Sequence, residues 1–189
     1  IQEAKPVADY FHKAGLNVAI LDYRVRPYDP YTVGASADGK RAVRWLRFHA
    51  QDLGIPADKI AIGGFSAGAL LSGNVATHFD EGDPNAADPV ERVSSRPDAA
   101  LLLYGAGNPD GHGGGRPYDV AKANEGARRS NALSLRFDSP PFFLFQTHQD
   151  DPHETVIFAL ACADKGIPFE IHAFHSGPHG AGLYDGGDP

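Results

Sequence analysis

Apolar positions along the chain follow two alternating rhythms, one helical and one strand-like. Ala4, Val7, Ala8 and Phe11 recur at helical spacing, and Gly15 follows as a stop signal. Residues 16–21 are almost all apolar, which predicts a strand buried on both faces of a parallel sheet. Residues 23–27 and the region of Pro30 read as a turn-rich loop. Asp38 then opens a predicted helix whose Val43, Leu46, Ala50 and Leu53 form one apolar stripe, ending at Gly54. Arg41, Arg44 and Arg47 share its outer faces, where a solvated surface is a commoner role than contact with a substrate.

Residues 59–63 predict a second strand and residues 69–78 a helix, with a short glycine-bounded stretch between them. Residues 80–96 are polar and carry Pro84 and Pro89, so a loop or short irregular helices are expected. Residues 99–104 predict another strand, followed by a glycine-rich stretch over 105–115 and a polar helical segment over 120–131. Strand 142–146, helix 156–165 and strand 168–174 complete the series, and a loop tail begins at His175. Strands alternating with helices, without an internal repeat, indicate an α/β fold with a mostly parallel sheet.

A chain of 189 residues fits one domain with a sizeable core, here taken as residues 1–189. The net charge of −7 argues against nucleic acid or an anionic membrane surface as a partner. No apolar stretch approaches the roughly 18 residues of a transmembrane helix, so no membrane span is expected. The one cysteine, Cys162, lies in a helical run, cannot form an internal disulfide and reads as a buried core thiol. No secretory signal is visible, but the chain opens on Ile1-Gln2-Glu3 without an initiator methionine, so cytoplasmic and secreted locations both stay open.

Between the strand at 59–63 and the helix at 69–78 stands Gly64-Phe65-Ser66-Ala67-Gly68. A serine at the tip of a sharp strand-to-helix turn is the arrangement a G-x-S-x-G nucleophile elbow requires. The turn forces the serine into a strained conformation, so its neighbours Gly63, Gly64, Ala67, Gly68 and Ala69 must be small. A serine hydroxyl is a weak nucleophile, and needs an imidazole to take its proton and a carboxylate to orient that imidazole. In a parallel sheet these groups meet beyond the carboxyl ends of the strands, and the chain order that accompanies such an elbow is serine, acid, histidine. Strand 142–146 ends in Thr147-His148-Gln149-Asp150-Asp151-Pro152, and strand 168–174 ends in His175-Ser176-Gly177-Pro178-His179-Gly180. His179, between Pro178 and Gly180 on a loop, is the candidate base, with His175 as the fallback. His172 lies within the strand and would point away from His175, so a metal site built on His172, His175 and His179 is disfavoured. Asp150 and Asp151 both leave the strand end as candidate acids. Ala67, following the nucleophile, supplies a backbone N–H to an oxyanion. The chemistry is complete with side chains and water, so no cofactor and no metal is expected.

The stretch from 58 to 69, the run Val93-Ser94-Ser95-Arg96-Pro97-Asp98 before a strand, the Asp150-Asp151-Pro152 turn and Gly177-Pro178-His179-Gly180-Ala181-Gly182-Leu183 together resemble the α/β-hydrolase superfamily. More closely, they resemble its esterase branch, which includes acetyl xylan esterases and related carbohydrate esterases. The resemblance implies a three-layer αβα fold and a triad of Ser66, an aspartate at 150 or 151, and His179. Counting without gaps from Pro140-Pro141 places the family's acid on Asp150; the run after it is three or four residues shorter than the family's, which keeps Asp151 open. It also implies a short acyl group, acetyl foremost, on a small-molecule or saccharide ester. The family's second oxyanion donor comes from a glycine-rich loop ahead of the first helix. The chain opens at that helix, so this loop and the N-terminal strands are expected to lie outside it. His112-Gly113-Gly114-Gly115 spells the lipase loop but follows Ser66 in chain order and reads as a coincidence. A prolyl-oligopeptidase-like serine peptidase and a non-catalytic hydrolase-like binding protein are the rival readings.

Overall fold

The computed structural model describes residues 4–24, 34–106 and 131–180. The glycine-rich stretch beyond Ala106, the His112–Gly115 sequence, most of the helix expected over 120–131, and Pro30 lie outside the described residues. The elements run α1 (Ala4–Lys13), α2 (Gly34–Phe48), α3 (Ala50–Leu53), β1 (Ala61–Phe65), α4 (Ala67–Thr77), β2 (Ala99–Leu103), β3 (Phe142–Thr147), α5 (His153–Asp164) and β4 (Phe169–Phe174). Short 3₁₀ turns at Pro89–Arg92 and His148–Asp150 fall between them. The four strands form one sheet in the order β1-β2-β3-β4, every neighbour pair parallel. The described architecture is a parallel sheet flanked by helices.

Alternation along the strands sets the core. Ala100, Leu102, Phe142 and Leu144 point to one face and are buried there with Ala69 and Ala76 of α4 and Phe158, Ala159 and Cys162 of α5. Phe142 and Phe158 meet edge to face, with ring centroids 4.9 Å apart. The α4 helix is mostly apolar or small, the pattern of a helix enclosed by protein, and its buried Asn74 is satisfied by the Ser36 hydroxyl, which donates to Asn74 Oδ1. It lies on β1 and β2 with one flank and takes Val43 and Ala35 of α2 against Leu71 and Val75 on the other. Burial pushes the Cys162 thiol up to about 12, so it stays protonated and inert.

Three expectations are corrected. Residues 16–21 form no strand: they belong to no ladder of the sheet, and Leu16, Val18, Ile20 and Leu21 are exposed. An apolar run becomes a buried strand only when a neighbour pairs with its backbone, and the ladders of the described sheet begin at β1. The second helix begins at Gly34, four residues ahead of Asp38, whose carboxylate instead accepts hydrogen bonds from the backbone N–H and guanidinium of Arg24. That pairing holds the Asp38 carboxyl below the usual carboxylate range.

The arginines of α2 are not a loose solvated face: each is paired. Arg44 is buried, donates to the Val93 carbonyl and pairs with Asp80 and Glu91. Arg41 pairs with Asp88 and Glu91, and Arg47 reaches the Ala57 and Ser94 carbonyls and Asp98. Their fork-shaped donors tie the irregular segment 80–98 onto the helix.

Because all strands are parallel, their carboxyl ends share one edge of the sheet. Ser66 follows β1, Tyr104 follows β2, the turn carrying Asp150 follows β3, and the loop carrying His179 follows β4. The fold therefore delivers four chain-distant segments to one place.

Candidate active site

Ser66 sits between β1 and α4 at φ 52° and ψ −118°, a conformation that residues with a side chain rarely adopt. Two close approaches hold it there. A Cβ at Gly64 would lie 2.4 Å from the Gly68 carbonyl carbon, and a Cβ at Gly105 would lie 2.4 Å from the Ser66 carbonyl oxygen. The demand for small residues is thus sharpest at Gly64 and Gly105, and extends to Gly63, where a Cβ would lie 3.1 Å from Leu101 Cβ. Gly68 has open space around it, contrary to the expectation that its size is constrained. The Ser66 N–H donates to the Leu103 carbonyl at 3.0 Å, and the Tyr104 N–H donates to the Phe145 carbonyl at 2.9 Å, which extends the ladders one residue past the strands.

Gly105 carried no sequence signal beyond lying at the start of a glycine-rich stretch, and its packing against the elbow appears only in three dimensions. Gly105→Ala is expected to lower stability by about 1–3 kcal/mol, since backbone on one side and the Ala69 methyl at 3.1 Å on the other leave the new methyl no exit. Urea denaturation of the variant beside the parent protein checks this.

The structure brings together three of the residues singled out in the sequence. His179 Nε2 lies 2.9 Å from Ser66 Oγ, and His179 Nδ1 lies 2.7 Å from Asp150 Oδ2. The imidazole is half exposed, while the Asp150 side chain is largely covered. One ring nitrogen faces the hydroxyl and the other the carboxylate, the arrangement in which Nδ1–H donates to the acid and Nε2 accepts from the serine. The Tyr104 ring stands edge-on to the imidazole, with centroids 5.0 Å apart. Tyr104 is buried and has φ 43°, a rare conformation for a bulky residue. The sequence offered no signal for it.

The remaining candidates lie elsewhere. Asp151, at φ 53°, turns its carboxylate to the backbone N–H and ring of His153 at the start of α5. His172 pairs with Glu170 on β4, stacks with Phe174 and lies tilted against Phe143. His175 directly follows β4 as an exposed residue, four positions short of the imidazole that meets Ser66. Ala67 is the first residue of α4 and exposed, so its N–H has no acceptor within the helix and stands at the positive end of the helix dipole. Among the described residues, no helix is long and apolar enough to cross a membrane.

This geometry can be set beside known proteins. The profile of the alpha/beta hydrolase fold family matches residues 3–133. Among solved structures, the acetyl ester-xyloside bifunctional hydrolase from Caldicellulosiruptor lactoaceticus superposes with a TM-score of 0.82 at 35% identity, over 94% of this chain and 68% of that one. Among curated proteins, endo-1,4-beta-xylanase B of Butyrivibrio fibrisolvens is 31% identical over 192 aligned residues, covering 94% of this chain and 29% of its own. Esterase LipI of Mycobacterium tuberculosis is 25% identical, over 93% of this chain and 59% of its own. The chain thus spans less than two thirds of the length of either curated relative.

Proposed function

The chain belongs to the alpha/beta hydrolase fold family, and on that premise we infer that it hydrolyses carboxylic esters through Ser66, His179 and Asp150. The observation that carries this reading is the unbroken line of two short contacts, Ser66 to His179 at 2.9 Å and His179 to Asp150 at 2.7 Å. In the first half-reaction Ser66 Oγ attacks the ester carbonyl carbon while His179 Nε2 takes its proton. The carbonyl oxygen becomes an oxyanion and meets the Ala67 N–H at the head of α4. The tetrahedral species collapses, His179 returns the proton to the departing alcohol, and an acyl-serine remains. Water then adds to the acyl carbon with His179 again taking a proton, and collapse releases the acid and restores the Ser66 hydroxyl. Asp150 keeps Nδ1 protonated and balances the imidazolium in both halves.

The substrate class we propose is a short-chain ester, acetyl foremost, with a sugar as one fitting alcohol. Supporting it are the esterase resemblance of the sequence around Ser66 and His179 and the likeness to a hydrolase whose name includes an acetyl ester and a xyloside. The half-buried Ser66 and exposed Ala67 suit a small acyl group that enters from solvent. Initial rates on p-nitrophenyl acetate, p-nitrophenyl palmitate and acetylated xylan test the reading. The acetate ester is expected to exceed the palmitate in kcat/KM by at least about tenfold, the scale on which chain-length differences register in a pocket. Acetate release from the xylan is expected as well. A preference for palmitate removes the short-chain reading, and hydrolysis of none of the three removes the esterase reading.

A further inference from the structure

His179 sits on the stretch that leaves the sheet after β4, beyond the last ladder pair, Thr147 with Phe174. Two glycines with positive φ, Gly177 at 135° and Gly180 at 89°, shape that stretch, and the imidazole itself is half exposed. Backbone of this kind needs partners from elsewhere if a side chain on it is to hold a fixed place. They come from the segment around the acid. The Gly177 N–H donates to Gln149 Oε1 at 3.0 Å, and Thr147 Oγ1 donates to the Gly177 carbonyl at 2.6 Å. Both backbone polar groups of Gly177, two residues before His179, are therefore taken by side chains within three residues of Asp150. Buried Gln146 secures the other half. Its Oε1 accepts from the Thr147 N–H, and its Nε2 donates to the Asp150 and Asp151 carbonyls at 3.2 Å each.

We propose that Gln149 is a positioning residue, binding the histidine-bearing loop to the acid-bearing turn so that one imidazole reaches both Asp150 and Ser66. The assignment rests on the reading of those three residues as a catalytic triad. Gln149 acts through Gly177 and makes no hydrogen bond to Ser66 or His179. Thr147 contributes to the same clamp but is buried, so its removal would also disturb packing. Gln149 is exposed, and its truncation isolates the hydrogen bond from the fold. A misplacement of about 1 Å in a catalytic group can cost about 10²-fold in rate, which sets the scale of the effect.

The test compares the wild type with Gln149→Ala and Gln149→Glu. Each is measured for kcat and KM on p-nitrophenyl acetate at its own pH optimum, for the rate of Ser66 modification by a fluorophosphonate, and for Tm. Gln149→Ala is expected to lose about 10- to 100-fold in kcat, with KM within about twofold and labelling slowed by the same factor as kcat. Its Tm is expected to stay within about 2 °C of wild type, as for a substitution at an exposed side chain. Gln149→Glu keeps an oxygen acceptor for the Gly177 N–H and is expected to recover to within about threefold of wild-type kcat. Wild-type kcat and labelling in Gln149→Ala overturn the proposal. So does a loss accompanied by a Tm drop of more than about 5 °C with no recovery in Gln149→Glu, which marks a merely structural contact. Failure of the wild type itself to label at Ser66 is a separate result, and overturns the triad reading on which the proposal stands.

Discussion

Ser66→Ala is expected to lower kcat/KM for p-nitrophenyl acetate by at least about 10⁴-fold, because no other group at the site can carry the acyl intermediate. The alanine fits without strain beyond what the serine already bears, since φ 52° belongs to the backbone of the strand-to-helix turn, for which Gly64 and Gly105 leave room, and not to the hydroxyl. The fold should therefore survive, with Tm close to the parent. His179→Ala is expected to fall into the same range, and the double variant no lower than either single one. A nucleophile and its base act as one unit, so removing the second after the first subtracts nothing further. Steady-state kinetics of the three variants, measured with mass-verified protein, decide it.

The second large effect separates two neighbouring aspartates. Asp150→Asn is expected to reduce kcat by about 10⁴-fold, because an amide in place of the carboxylate can stabilise the wrong imidazole tautomer and no longer balances the imidazolium. Asp151→Asn is expected to stay within a few fold in kcat. The Asp151 carboxylate serves the first turn of α5 through the His153 N–H, so its loss should appear as about 0.5–1 kcal/mol of stability, the scale of a helix-start contact. Parallel kcat and urea-melt measurements on the pair check both halves. A large kcat loss at Asp151 with little at Asp150 would reverse the assignment.

The sharp strand-to-helix turn at Ser66 is legible in the sequence because its cause is local: glycine before and after a serine, an apolar strand on one side and an apolar helix on the other. The place of His179 is legible for a similar reason, since parallel strands bring the loops that follow them to one edge of the sheet. Which aspartate faces His179 stays open in the sequence because Asp150 and Asp151 leave the strand end together. What divides them is a backbone turn at Asp151, φ 53°, that no residue type announces. Residues 16–21 have the composition of a strand but not the structure of one, because strand formation needs a pairing partner that composition does not encode. The arginines of α2 and the start of that helix escape sequence reasoning on the same ground: their partners, Asp80, Glu91, Asp98 and Arg24, lie 14 to 51 positions away along the chain. Gly105, Tyr104 and Gln149 belong to no recognised motif. Each meets a segment far off in sequence: Gly105 the Ser66 backbone, Tyr104 the His179 ring and Gln149 the Gly177 N–H.

Covalent capture at the serine tests the central claim most directly. The protein is treated with a fluorophosphonate, digested, and its modified peptide sequenced by mass spectrometry. One adduct per chain is expected, on Ser66, forming rapidly in the wild type and absent in Ser66→Ala, with His179→Ala slowed by about 10³-fold or more. No adduct on the wild type, or equal labelling of Ser66→Ala, would contradict the account.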